Sequence, residues 1–155
     1  MSEEVLRLSE GYFHHLLTDE DPLEAVTTLS EFWSPRSGTI DQLSRLSPTE
    51  KTVELCMDYS AQVCNGGHAQ YFFNRETDAR HEVIEALKTV GLHQVAAILE
   101  QAVSDTRVDK ECPNALDQRD REFYERMDTI DAALQAFLRT NLHDVLVAER
   151  THQLD

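Results

Sequence analysis

Apolar residues recur every three or four positions along most of the chain, which is the spacing of one face of an α-helix. The longest such stripes flank a glycine, and they comprise Val83, Ile84, Leu87 and Val90, then Leu92, Val95, Ala96, Leu99, Ala102 and Val103. No segment alternates apolar and polar residues as a half-buried strand does. The pattern predicts an all-α protein of six to eight helices, in a single domain over residues 1–155.

Two helix starts carry capping signals. Asp21 precedes Pro22, and Ser47 precedes Pro48, so each start offers a side-chain acceptor followed by a proline that suits the first helical turn. Residues 3–17 predict an earlier helix, residues 34–38 a turn, and residues 104–116 the longest loop. A helical period then continues from Asp117 almost to the end of the chain, with a break predicted near residues 128–129.

A helix predicted over residues 48–64 ends at two adjacent glycines. Asn and Gly tolerate left-handed backbone angles, so this point predicts a sharp helix-to-helix corner, with Cys64 facing the core just before it. A short helix over residues 68–74 should then carry Tyr71, Phe72 and Phe73 inward, while the polar side chains around the corner satisfy freed backbone groups. The predicted structural motif is Asn65, Gly66, Gly67, Gln70, Tyr71, Phe72 and Asn74.

Acidic side chains outnumber basic ones by 29 to 14, which gives a net charge of −15. The excess is spread along the chain, with −8 in residues 1–60 and −7 in residues 61–155. Such a charge repels phosphate, so direct binding to nucleic acid or to an anionic membrane is excluded. Three cysteines without metal-type spacing, an acidic start and the lack of a long apolar run predict free thiols in a cytoplasmic protein.

The motifs of common catalytic and metal sites are missing. His14 and His15 are adjacent and point about 100° apart on a helix, so they cannot hold one ion together. Cys64 and His68 lie four residues apart, but the two glycines separate them. We therefore predict a protein that is not an enzyme and that has no cofactor and no metal. One alternative is a ligand-binding or enzymatic pocket beside the corner, lined by Gln70, Tyr71 and Asn74.

Rows of carboxylates at helical spacing indicate a different kind of function, which is binding to a basic protein. Side chains on neighbouring helical turns lie about 5–6 Å apart at Cβ, a spacing comparable in scale to that of successive phosphates. A basic DNA-binding protein would meet such rows much as it meets DNA. The residues predicted to face a partner are Glu20, Asp21, Glu24, Glu31, Glu50, Glu54 and Asp58.

The corner also carries a resemblance. The sequence Asn65-Gly66-Gly67-x-x-Gln70-Tyr71-Phe72-x-Asn74, followed by Glu85-Ala86-Leu87-x-x-x-Gly91, resembles the signature of the bacterial DNA-mimic-protein-like family, whose members are mostly uncharacterised. The resemblance extends over about residues 45–147. It departs from the family at His68, where an apolar or aromatic residue is usual.

The resemblance implies an all-α fold and an acidic surface that occupies the DNA site of a transcriptional regulator. The expected partner is accordingly a basic DNA-binding protein or another basic protein, and a homodimer is possible. The alternative with the same charge logic is an immunity or inhibitor protein that neutralises a basic nuclease or toxin.

Overall fold

The structure is a computed structural model that describes residues 10–18, 21–37, 43, 45–106 and 114–145. Every regular element in these ranges is a helix, which confirms the all-α prediction. The helices are α1 (Glu10–Leu17), α2 (Pro22–Ser37), α3 (Pro48–Asn74), α4 (Thr77–Thr89), α5 (His93–Thr106), α6 (Ala115–Tyr124) and α7 (Met127–Thr140), followed by a helical turn at 142–145. None of the described helices is long and apolar enough to cross a membrane.

The chain divides into two compact units. The first comprises the described parts of Met1–Lys51 and Asp131–Asp155, and the second comprises those of Thr52–Ile130. The single domain predicted over residues 1–155 stays a prediction. For the first helix, the described part from Glu10 to Leu17 agrees with the sequence analysis, and residues 3–9 lie outside the described ranges.

In the first unit, α1 packs against α2. The predicted N-cap of α2 is confirmed, because the Asp21 carboxylate accepts the Leu23 N–H at 3.1 Å and the Glu24 N–H at 3.3 Å. Val26 and Trp33 are buried, whereas Leu23, which is spaced with them at helical intervals, is 54% exposed. Leu23 lies in the first turn, about 90° around the helix from the centre of the buried face.

The turn predicted at residues 34–38 is wrong as far as Ser37, because α2 continues to that residue. The helix tolerates Pro35 within its last turn, where the missing N–H costs only one backbone hydrogen bond. Burial of Trp33 just before it holds this end of the helix in place. Gly38 lies outside the described ranges.

In the second unit, α5 packs against both α4 and α6. The predicted stripes are confirmed, since Val83, Leu87 and Leu99 are among their buried members. Gly91 ends α4 with φ 85°. The Gly91 N–H donates to the Lys88 carbonyl at 3.0 Å and the Leu92 N–H donates to the Leu87 carbonyl at 2.8 Å, which is the bonding pattern of a Schellman motif.

The predicted loop and break both lie near helix ends. The loop at 104–116 was drawn too long, because α5 extends to Thr106 and α6 begins at Ala115; residues 107–113 lie outside the described ranges. The break falls at residues 125–126, two to three residues before the predicted position. There the Arg126 N–H donates to Phe123 at 2.9 Å, a tight turn that ends α6.

Candidate functional site

The corner within α3 is formed by its two glycines, as predicted. Gly66 has φ −161° and ψ 24°, and Gly67 has φ 71° and ψ −177°, so the helix stops and restarts there. The positive φ of Gly67 is disfavoured for any residue with a Cβ. A Cβ at Gly67 would also lie 2.4 Å from an Asp120 carboxylate oxygen, and one at Gly66 would lie 2.8 Å from the Gln70 Cβ. Both glycines are therefore required by close packing.

A chain of hydrogen bonds runs from Asp120 through His68 to Tyr59. The Asp120 carboxylate lies 2.6 Å from Nδ1 of His68, and Nε2 of His68 lies 2.8 Å from the Tyr59 hydroxyl. Because a carboxylate can only accept, Nδ1 carries the proton and Nε2 accepts from the hydroxyl. Asp120 also accepts the backbone N–H of His68 at 2.8 Å, so it caps the helical segment that follows the corner.

Burial sets the protonation of this chain. It lowers the pKa of His68, even though Asp120 acts in the opposite direction, and it raises the pKa of Tyr59 well above its usual range. The order of carboxylate, imidazole and hydroxyl resembles that of a nucleophile relay. His68 and Tyr59 are both fully buried, however, so a substrate has no route to the hydroxyl. The chain can hold the corner together, but it cannot attack a ligand from solvent.

The amide side chains around the corner bond to one another. Gln62 accepts from the Gln70 amide at 3.1 Å and from the Asn74 amide at 2.8 Å. The prediction that Gln70 and Asn74 satisfy freed backbone groups is therefore corrected, because Asp120 makes the observed bond to the backbone at this point. Asn65 is exposed, and its predicted capping role stays a prediction.

Two further predictions about the corner are wrong. Phe73 is 91% exposed, whereas Tyr71 is buried and Phe72 is half-buried beneath the Arg80 guanidinium, 4.3 Å from its ring centroid. Three consecutive residues on a helix point about 100° apart, so a single core cannot receive all three. Cys64 is exposed rather than facing the core. The buried face of this part of α3 consists of Val53, Cys56, Tyr59 and Val63.

Three of the predicted partner-facing residues lie on an exposed face of α2. These are Asp21, Glu24 and Glu31. At 100° per residue they fall within about 80° of one another, so they form one row. Glu20 lies outside the described ranges.

The carboxylate row predicted on α3 is not exposed to solvent as expected. Glu50 is fully buried: its carboxylate accepts the Ser47 N–H at 3.1 Å, and the Ser47 hydroxyl accepts the Glu50 N–H at 3.3 Å. This reciprocal pair is a capping box. Asp58 accepts two hydrogen bonds from Arg75, at 2.7 and 2.5 Å, and both side chains are about one-fifth exposed. Glu54, between them, is half-buried.

A carboxylate row on α4 was not among the predicted partner-facing residues. Asp78, Glu82 and Glu85 are all exposed, and they occupy the face opposite the buried Val83 and Leu87. Their spacing of four and then three residues, set against the apolar stripe, is the signal that could have identified them.

A lysine lies beside this row. Lys88 contacts Glu85 at 3.4 Å and Glu100 of α5 at 2.8 Å. These are exposed pairs that contribute little to stability, and they leave the acidic character of the α4 face in place. Within the described ranges, no three His, Cys, Asp or Glu side chains are grouped so as to hold a metal ion.

Comparison with known proteins identifies the family. No curated protein and no solved structure matches the chain. The model of a family described as DMP19-like protein, a family of DNA mimics, matches residues 44–141. This range is more than half of the chain and contains the corner, the Asp120–His68–Tyr59 chain and the row on α4. The protein therefore belongs to the DMP19-like protein family.

Proposed function

We propose that the protein binds a basic DNA-binding protein, such as a transcriptional regulator, in the cytoplasm and occupies its DNA site without catalysing a reaction. Membership of a DNA-mimic family and the net charge of −15 support this function. The observation that carries it is the one-sided face of α4, where the carboxylates Asp78, Glu82 and Glu85 are exposed opposite a buried apolar stripe.

The α4 row has a defined length and a regular spacing. Asp78 and Glu85 are seven residues apart, so the row extends about 10 Å along the helix axis. The carboxylates project from a regular helix whose other face is buried, so their spacing is fixed before a partner arrives. Fixed charges of this kind steer a basic surface and lose less entropy on binding than charges on a loose loop.

The row on α2, consisting of Asp21, Glu24 and Glu31 with Glu20 before them, is the second candidate surface. Asp21, Glu24 and Glu31 are exposed, but the row lies outside the range that the family model matches. Of the other predicted residues, Glu54 is half-buried, and the engagement of Glu50 and Asp58 within the fold makes them poor contacts for a partner. The α4 row is therefore the first surface to test.

Three charge-matched variants test the proposal. D78N/E82Q/E85Q neutralises the α4 row, D21N/E24Q/E31Q neutralises the α2 row, and D117N/E125Q/D128N neutralises three exposed carboxylates elsewhere as a control. Amides keep the size of the side chains, and asparagine still caps a helix, so each variant changes charge and little else. Each triple raises the net charge by the same amount.

The assay is capture of partners from native extract, followed by affinity measurements at several salt concentrations with and without duplex DNA. We expect the α4 variant to weaken binding at least tenfold, to flatten its salt dependence and to leave the control unaffected. Duplex DNA should compete with the wild-type protein. Equal loss in all three variants would reveal only a general charge effect. A captured nuclease or toxin that this protein inhibits would instead favour the immunity alternative.

A further inference from the structure

Phe73 is the most exposed large apolar side chain in the described ranges, at 91%. Burial of a phenylalanine ring is one of the larger stabilising contributions that a single residue can make, and at this position the fold forgoes it. The preceding two aromatic residues, Tyr71 and Phe72, are buried and half-buried respectively. The exposure of Phe73 is thus a property of this position and not of the whole segment.

The exposed residues close to Phe73 in the sequence include one small side chain and two carboxylates. Ala69, one helical turn earlier, is exposed too, and its methyl group is too small to cover a ring. Glu76 and Asp78 follow within five residues, and both are exposed. Phe73 is therefore exposed five residues before Asp78, the first carboxylate of the α4 row.

The helical segment that carries Phe73 is fixed at both ends. At its start, the backbone and imidazole of His68 bond to Asp120. At its end, the Asn74 amide bonds to Gln62 at 2.8 Å, and Arg75 forms its paired bonds to Asp58. A side chain on so constrained a segment loses little backbone freedom on binding, which favours its use as an anchor.

We propose that Phe73 is the apolar anchor of the partner interface, and that it enters an apolar pocket bordered by lysine or arginine side chains on the partner. The inference rests on the proposed function and adds the chemistry of the receiving surface. The exposed carboxylates that follow Phe73 within five residues favour a basic border, and the ring itself favours an apolar centre. Interfaces concentrate their binding energy in such buried aromatic residues with a polar rim.

Photocrosslinking in the native cells tests the inference. p-Benzoylphenylalanine replaces one residue at a time at position 73, at position 82 in the α4 row, at position 24 in the α2 row, and at position 127 as a control. Met127 is 37% exposed, which makes it a suitable apolar control. We expect a DNA-binding protein to crosslink from position 73 and not from position 127.

The other outcomes separate the two proposals. Crosslinks to a DNA-binding protein from position 24 or 82 but not from 73 overturn the anchor and leave the proposed function standing. Crosslinks from position 73 to a second copy of this chain alone overturn the anchor in favour of self-association. No crosslink to a DNA-binding protein from positions 24, 73 or 82 overturns both proposals.

Affinity measurements with the partner that crosslinking identifies then give the contribution of Phe73 to binding. Phe73→Ala should weaken binding by roughly 30-fold or more, as truncation of a central aromatic anchor does. Its salt dependence should match that of the wild-type protein, because no charge is removed. Met127→Ala should leave the affinity unchanged. An unchanged affinity for Phe73→Ala would overturn the inference, whatever the neutralised rows do.

Discussion

Helices α3 and α4 carry ionisable side chains at similar helical spacing and use them in opposite ways. On α3, Glu50 closes a capping box and Asp58 binds Arg75, so both carboxylates stabilise the fold. On α4, Asp78, Glu82 and Glu85 are exposed along one face. The imidazoles follow the same division, since His68 of α3 is buried in a hydrogen-bonded chain and His81 of α4 is exposed.

The difference shows what spacing does and does not determine. Spacing decides which carboxylates share a helix face, because the helical period is fixed. Whether that face is offered to a partner depends on groups far away in the sequence: Asp58 pairs with a residue 17 positions later, and His68 with one 52 positions later. If the contrast is correct, substitutions on α3 should cost stability, and matched substitutions associated with α4 should cost little.

The largest effect is expected at the corner of α3. Gly67→Ala would place a Cβ at φ 71° and 2.4 Å from the Asp120 carboxylate, so it combines backbone strain with displacement of the cap. We expect it to lower the free energy of unfolding by about 3 kcal/mol or more. Gly91→Ala, at the end of α4, meets open space at φ 85° and should cost only about 1 kcal/mol. Chemical denaturation of both variants measures the difference, and equal losses would show that Asp120 moves aside without cost.

The next effect compares one ion pair from each helix. Asp58→Ala leaves the Arg75 guanidinium half-buried without its carboxylate, and we expect a loss of about 2 kcal/mol. Glu85→Ala removes the exposed contact to Lys88 and should cost less than about 0.5 kcal/mol. Thermal unfolding at low and high salt is the measurement. If the loss of stability in Asp58→Ala vanishes at high salt, the Asp58–Arg75 pair behaves as a surface pair and does not differ from the Glu85–Lys88 pair.

His68 should make the free energy of unfolding depend on pH. Burial lowers the pKa of His68 below 6.5, so the unfolded chain takes up a proton at a higher pH than the folded chain does. The contribution of His68 to stability is therefore fully present above the unfolded pKa and decreases as the pH falls through 6.5, by at most about 1.4 kcal/mol per pH unit.

Unfolding free energies measured between about pH 7.5 and 5.5 test this sign. His68→Phe should remove this part of the slope, because the variant has no imidazole at the buried position. If the wild-type protein instead gained stability on acidification relative to His68→Phe, the attraction of Asp120 would outweigh the desolvation of the ring.

Local signals predicted the helices and the corner well. Asp21 and Ser47 are caps recognisable from the sequence, and two adjacent glycines favour the end of a helix. The family signature also lies at the corner, so the sequence identified the family from the same residues. These features depend on groups within four residues of one another, which a linear pattern can express.

The exposure of the acidic rows was predicted less well than the helices, because tertiary contacts contribute to burial. Asp58 has the spacing of a displayed row, but Arg75, 17 positions later, binds it. Glu50 differs, because its capping box with Ser47 spans only three residues and could have been recognised from the sequence. The α4 row was overlooked because a chain rich in carboxylates offers many such rows, and only burial of the opposite face distinguishes one from another. The role of Asp120 at the corner gave no signal near Gly67 in the sequence.

The smallest effect is expected within the displayed row. Glu82→Gln neutralises one exposed carboxylate of the row, and a substitution at such a position should change the free energy of unfolding by no more than about 0.5 kcal/mol in either direction. Any part of that change that comes from charge should disappear at 1 M salt, where the Debye length falls to about 3 Å. Glu50→Ala on α3 is the comparison, and loss of the capping box should cost about 1 kcal/mol. A loss at Glu82 as large as that at Glu50 would mean that contacts within the fold hold the α4 carboxylates, and the row would then no longer be a surface set aside for a partner.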